Sequence, residues 1–151
     1  MLDKNGIEIK TGDIVEISGA YFKNDNGLYF VENSAGDPDW LGSEHSLKKI
    51  SKNGKIRKSK NSTGFCPIMV TVNDREKRVA AKEWNREYAT IEIKSGIDTS
   101  EIENYFSSKS RQISESIKYL AWTFGKESEV VKNYVVAKEH YEAVVKRLSG
   151  M

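Results

Sequence analysis

The hydrophobic period of this chain changes near residue 98, and that change limits the possible folds more than any other feature. Beyond it, Ile102, Phe106, Ile113, Ile117, Leu120 and Phe124 recur at spacings built from three and four, which mark one face of a helix. Asp98-Thr99-Ser100 supplies start signals, and Gly125 supplies a stop. Ser107-Ser108-Lys109-Ser110 weakens the helical signal in between. After Ser128 a second helical pattern carries Val130, Val131, Tyr134, Tyr141, Val144, Val145 and Leu148. The short joint predicts an antiparallel helical hairpin.

Before residue 98 the apolar residues alternate instead. Ile7 and Ile9, then Val15 and Ile17, then Leu28 to Val31, then Ile91 and Ile93 read as short strands separated by turns. Lys10 to Asp13 and Lys23 to Gly27 are turn sequences, and Asn26-Gly27 tolerates positive φ. Asn33 to Asp39 reads as a loop, because Pro38 interrupts any regular strand. Trp40-Leu41 and Leu47 to Ile50 are candidate core pieces, and Asn53-Gly54 predicts a hairpin tip with Ile50 and Ile56 facing inward. Phe65 to Val72 is the most apolar strand candidate, and Asn73-Asp74 can cap a short helix running to about Arg86. The expected class is α+β. An antiparallel β-rich domain with one short helix covers 1–95, and a two-helix arm of the same folding unit covers 96–151.

At 151 residues the chain suits one such unit, and 38% hydrophobic with 30% charged residues describes a globular, fairly polar protein. Its apolar runs are too short to span a bilayer. One cysteine, Cys66, and no apolar segment at the N-terminus point to a reducing cytoplasm.

The residues offer little for catalysis. His45 and His140 are far apart, and neither has a second His or Cys at ligand spacing. Cys66 sits between Phe65 and Pro67, where burial raises a thiol's pKa and makes it inert. Nucleophile-elbow and phosphate-loop patterns are missing. Asp37 and Asp39 flank Pro38 and have the chemistry to hold a cation or to act as acid and base, although acids in such a loop are commonly only solvated. The expectation is a protein that is not an enzyme and needs no cofactor.

Charge carries the remaining signal. The net charge is +2, but residues 51–95 hold 11 Lys and Arg against 5 Asp and Glu, whereas residues 1–50 hold 5 against 9. A local positive field attracts anions even on a nearly neutral molecule. Within this region Arg57, Lys58, Lys60, Arg75, Arg78 and Arg86 can neutralise phosphates. Phe65 and Trp84 can stack on a base, and Asn85 can read a base edge. Both rings suit the core somewhat better than an exposed binding surface. These nine residues are the candidate ligand-binding set.

Residues 6–31 resemble the opening of small KOW or SH3-like barrels, which often bind nucleic acid or protein. Three segments carry a second resemblance: Tyr21 to Leu28, Ile50 to Ile56, and Trp84-Asn85 before Ala89 to Ile93. Through them the whole chain resembles a group of small proteins from phages and mobile elements of Clostridia-type bacteria. Its layout is similar to the phage anti-Thoeris sponge family. That resemblance implies a non-enzymatic anti-defence protein that assembles through its helices and sequesters cyclic ADP-ribose-type signals, in some cases cyclic oligonucleotides. No binding residue is carried over by position. Independently, two long apolar helical stripes exceed what a β domain of this size can cover, so a homo-oligomer, dimer or higher, is expected through the C-terminal helices. The expected partner is a small anionic nucleotide, held without a membrane. The alternative is a module that binds nucleic acid or protein.

Overall fold

A computed structural model describes residues 2–19, 23–42, 45–57 and 90–150. Among these, four strands form one antiparallel sheet: β1 (Ile14–Ser18), β2 (Gly27–Asn33), β3 (Ser46–Lys49) and β4 (Thr90–Ile93), in the order β3-β2-β1-β4. Two helices follow, α1 (Ser100–Phe124) and α2 (Glu129–Leu148). The class is α+β, as the change of period implies. The expected strand Phe65 to Val72 and the expected short helix ending near Arg86 lie outside the described residues.

Strand alternation sorts the apolar residues onto two faces. Val15 pairs with Tyr29 and Ile93, Ile17 with Ile91, and Val31 with Leu47, so these side chains share one face with Ile9. Ile14 pairs with Phe30, and both point the other way, toward the helices. On that side Phe30, Ile102, Phe106 and Tyr141 are fully buried, together with Ile50, Ile113, Ala137 and Val144. Burying an aliphatic or aromatic side chain of this kind stabilises by roughly 1.5–3 kcal/mol. Sheet and helices therefore share one continuous apolar cluster. The N-terminal segment lies along the outer edge of β4, where Lys4 N donates to Ile91 O (2.8 Å) and Ile93 N donates to Asp3 Oδ2 (3.0 Å). The edge is thereby blunted against pairing with another chain.

Helix α1 runs unbroken through the serine-rich stretch. Ser110 is buried there, and its small side chain suits close packing. Gly125, at φ +88°, ends α1, and the Ser128 side chain caps α2 by accepting from Val131 N (3.3 Å). At 1.5 Å per residue α1 is about 37 Å long. Its buried residues, Ile102, Phe106, Ser110 and Ile113, all lie in its first fourteen positions. The far ends of the hairpin are more exposed, and Tyr119, Trp122, Phe124 and Val130 stand open to solvent.

The Asn53-Gly54 tip is present. Ser51 N donates to Lys55 O (2.8 Å), and Ile50 bridges to Ile56 with Ile50 buried. Gly54 has φ +78°, and a Cβ there would collide with the Asp98 carbonyl oxygen, so the tip can rest on the entry to α1 only as glycine. Leu41 departs from expectation. It is fully exposed rather than part of the core, because the turns at Ala35-Gly36 and Pro38-Asp39 carry the chain away from the sheet before β3 begins.

Candidate functional site

Three chain segments meet the last turns of α2 at the end of the sheet: the Lys10–Asp13 turn, the Ser34–Asp37 turn and His45 just ahead of β3. Between them is a cleft of about 410 Å³ whose lining includes Thr11, Ser34, Asp37, His45, His140 and Arg147. Local chemistry holds each wall. Lys10 N donates to Asp13 Oδ2 (2.8 Å), which closes the first turn. Gly12 N donates to Val31 O (2.8 Å), and Val31 N donates to Asp13 O (2.9 Å), which fastens that turn to β2. Gly12 has φ +92°, and a Cβ on it would stand 2.8 Å from Val144 Cγ1, so its bareness lets α2 seat on the turn. Arg147 then pins the helix down. Nη1 meets Asp13 Oδ1 at 2.8 Å, and Nη2 donates to the Thr11 carbonyl.

Asp37 is the hub of the cleft. Its Oδ2 accepts from Thr11 Oγ1 (2.5 Å) and from Ser34 N (2.9 Å). His140 Nε2 stands 3.3 Å from the same oxygen, without hydrogen-bond geometry. Burial pushes the carboxyl pKa up, but His140, Thr11 and Ser34 N outweigh it and hold the group below its ordinary value. Asp37 is therefore an anion at neutral pH. His45 is 7% exposed, and its Nδ1 is buried with no hydrogen-bond partner. Burial lowers its pKa, so the ring is neutral at pH 7. The wall of the cleft thus includes one imidazole, His45, with a buried nitrogen that has no hydrogen-bond partner, and a second, His140, set against the Asp37 carboxylate.

A buried polar network supports this wall from behind. Tyr141 donates to Asn33 Oδ1 (2.6 Å), Lys109 Nζ lies 3.3 Å from the same atom and 4.4 Å above the Tyr141 ring, and Tyr105 donates to Glu32 Oε1 (2.8 Å). Burial pushes the Lys109 pKa down and both tyrosine pKa values up. Asn33 and Tyr141 are the chain neighbours of Ser34 and His140, so this network sets the positions from which both cleft residues project.

What the cleft can do follows from its pairing. The Thr11 hydroxyl gives its proton directly to Asp37, and no imidazole lies between a hydroxyl and the acid, so the relay of a Ser-His-Asp nucleophile is missing here. Among the described residues no group of three His, Cys, Asp or Glu side chains could hold a metal ion. The arrangement has room for a small molecule between His45 and His140 on the inside and Arg147 and Lys10 at the rim.

Of the nine residues singled out from sequence, Arg57 alone is described. It is exposed, its backbone N donates to Lys49 O (3.0 Å), and it does not line the cleft. Lys58, Lys60, Phe65, Arg75, Arg78, Trp84, Asn85 and Arg86 lie outside the described residues. Other cations of the same tract make contacts within the chain. Lys48 lies 3.8 Å from Glu32, Lys49 Nζ donates to Asn24 O (2.6 Å), and Lys55 lies 3.5 Å from Glu101. The described part of the tract is therefore spread over the surface rather than gathered into one receptor. Sequence reasoning weighed Asp37 but missed its company, because Thr11, Ser34, His45, His140 and Arg147 show no motif spacing.

No helix among the described residues is long and apolar enough to cross a membrane. Comparison with protein-family models, curated proteins and solved structures finds no match to this chain.

Proposed function

We propose that this protein captures a small anionic nucleotide-type signal in the cleft between the sheet and α2 and holds it without cleaving it. The observation that carries the reading is the cleft itself, lined by His140, by Arg147 and by His45, whose buried Nδ1 has no hydrogen-bond partner. An unsatisfied buried polar atom costs roughly 1–3 kcal/mol, and a ligand that pairs with it recovers that amount. A nucleoside edge supplies the matching donors and acceptors. Arg147 and Lys10 at the mouth supply charge for phosphate, Arg147 being 41% exposed with donors beyond the two it uses. The volume falls in the range of small-molecule sites, roughly 300–1,000 Å³. Sequestration requires submicromolar affinity, roughly 8 kcal/mol or more. The biological setting we propose is the phage anti-defence role that the family resemblance implies.

The second reading is a nucleic-acid-binding module, favoured by the exposure of Lys52, Lys55 and Arg57 around the Asn53-Gly54 tip. One experiment separates the two. Wild type and His45→Leu are incubated with cyclic ADP-ribose-type molecules, cyclic dinucleotides, and single- and double-stranded oligonucleotides, and melting temperatures are recorded. Bound material is then released by heat and identified. Capture predicts that a nucleotide raises the melting temperature of wild type, returns intact, and fails to protect the His45 variant. Stabilisation by oligonucleotides alone supports the second reading, and a chemically altered nucleotide would overturn the non-enzymatic one.

A further inference from the structure

Asparagine precedes glycine at Asn5-Gly6, Asn26-Gly27 and Asn53-Gly54. Such a bond is chemically labile, because glycine has no side chain to shield its backbone nitrogen from the asparagine amide before it. The fold treats the three pairs differently. Gly54 is wedged against the Asp98 carbonyl oxygen, and its tip is closed by Ser51 N donating to Lys55 O (2.8 Å) and Lys55 N donating to Ser51 Oγ (3.2 Å). Gly27 opens β2 and is paired there with Ile17 of β1. Gly6, at φ +80°, stands in the open, and a Cβ on it would meet no atom within 4 Å. Asn5 and Gly6 are both exposed, and among the described residues the Asn5 side chain makes no hydrogen bond. Gly6 N donates to Asp3 O and Gly54 N donates to Ser51 O, at 3.0 Å each, so packing rather than hydrogen bonding separates these two sites.

We propose that Asn5 is a site of spontaneous covalent modification in the folded protein, and that its conversion to isoaspartate releases the N-terminal segment from the edge of the sheet. Gly6 N attacks Asn5 Cγ. The new N–C bond forms, the bond from Cγ to the side-chain nitrogen breaks, and the Gly6 N–H proton departs with that nitrogen as ammonia. Water then opens the five-membered imide at one of its two carbonyls. One opening leaves aspartate, and the other leaves isoaspartate, whose main chain runs through the former side-chain methylene. The turn cannot absorb that extra atom. Asp3 Oδ1 accepts from the N–H groups on either side of the reacting bond, Asn5 N and Ile7 N, at 2.9 Å each, and Asp3 N donates to Ile7 O (2.7 Å). A longer backbone between Asn5 and Gly6 pulls Ile7 out of both of its bonds to Asp3. The same carboxylate accepts from Ile93 N, and Lys4 N donates to Ile91 O, so the loss of the turn loosens the hold on β4 and reopens an edge for pairing. The modification needs no ligand in the cleft.

The full chain is kept warm near neutral pH, in buffer and in concentrated guanidinium chloride, and peptide mass spectrometry follows the three asparagines over several weeks. The unfolded sample sets the reference rate at each. In the folded sample Asn5 is expected to keep at least about one third of its unfolded rate, while Asn53 is slowed at least about ten-fold. Asn53 reacting as fast as Asn5, or Asn5 slowed as much as Asn53, would overturn the assignment of the site. The isoaspartate form is then isolated by chromatography, and hydrogen exchange is measured at the amides of Lys4 and Ile93. Exchange at least about ten-fold faster than in the parent is expected, whereas Asn5→Asp, with the new charge but a backbone of ordinary length, stays within about three-fold. An isoaspartate form as well protected as the parent, or an Asn5→Asp variant loosened to the same degree, would overturn release by the lengthened backbone.

Discussion

The hydroxyl of Tyr141 donates to Asn33 Oδ1 across 2.6 Å, joining the middle of α2 to the last residue of β2 inside the protein. The bond lies one residue from His140 on one side and one residue from Ser34 on the other. It fixes the distance between the helix wall and the turn wall of the cleft, and Lys109 is folded over the same pair.

Tyr141→Phe keeps the ring, which stacks on Phe106 at 6.0 Å, and removes only the hydroxyl. Asn33 Oδ1 keeps its contact with Lys109 Nζ. The expected loss is about 1–2 kcal/mol in urea unfolding with an unchanged slope. A loss below about 0.3 kcal/mol would show that the bond does not tie the two walls together.

His45→Leu separates stability from binding. Replacing a buried imidazole that has an unpaired nitrogen by an apolar side chain of similar size should leave the free protein as stable as before, or more stable by up to about 1 kcal/mol. The pH dependence carries a second sign. Burial lowers the folded-state pKa of His45, so as pH falls below about 6.5 the unfolded chain takes up the proton first and stability declines. Unfolding curves at pH 7.5 and 5.0 should show a smaller decline for His45→Leu than for wild type. An equal decline would contradict burial as the cause.

Acid should act through Asp3 and Asp37. Asp3 is buried. Its Oδ1 accepts from Asn5 N and Ile7 N at 2.9 Å each, and its Oδ2 accepts from Ile93 N at 3.0 Å. Burial pushes its pKa up, but these bonds prevail and hold the group low, as they do for Asp37. Their contribution is complete above about pH 4, the ordinary carboxylate value, and is lost as pH falls toward the folded-state values. Melting temperature should drop steeply between about pH 4.5 and 3, and Asp37→Asn should flatten part of that drop. A profile indifferent to the substitution would remove Asp37 from the account.

Gly54→Ala should be among the most damaging single changes available. The added methyl meets the Asp98 carbonyl oxygen and demands a left-handed conformation as well. A loss of at least about 3 kcal/mol is expected by denaturant unfolding. A mild effect would mean that the Asn53-Gly54 tip moves freely relative to α1.

The elements were legible in the sequence because local patterns record them. Val15 and Ile17 alternate with Ile14 and Glu16, and pleating alone sends them to opposite faces. Gly125 and Ser128 mark the joint between the helices because a helix end needs partners for its free carbonyl and N–H groups. Leu41 was misread because hydrophobicity reports a preference for burial, while the two turns before it decide where that stretch of chain can go.

The chain's own residues determined the class, the strands, the hairpin at Asn53-Gly54 and the two helices, since each depends on neighbours within a few positions. The cleft was decided only in three dimensions. Thr11, Ser34, Asp37, His45, His140 and Arg147 come from four separate segments, and what makes them a site is pairing: which groups share the Asp37 oxygen, and that the buried Nδ1 of His45 has no hydrogen-bond partner. Hydrogen bonds depend on distance and angle between atoms far apart along the chain, and no spacing rule in a linear sequence encodes them.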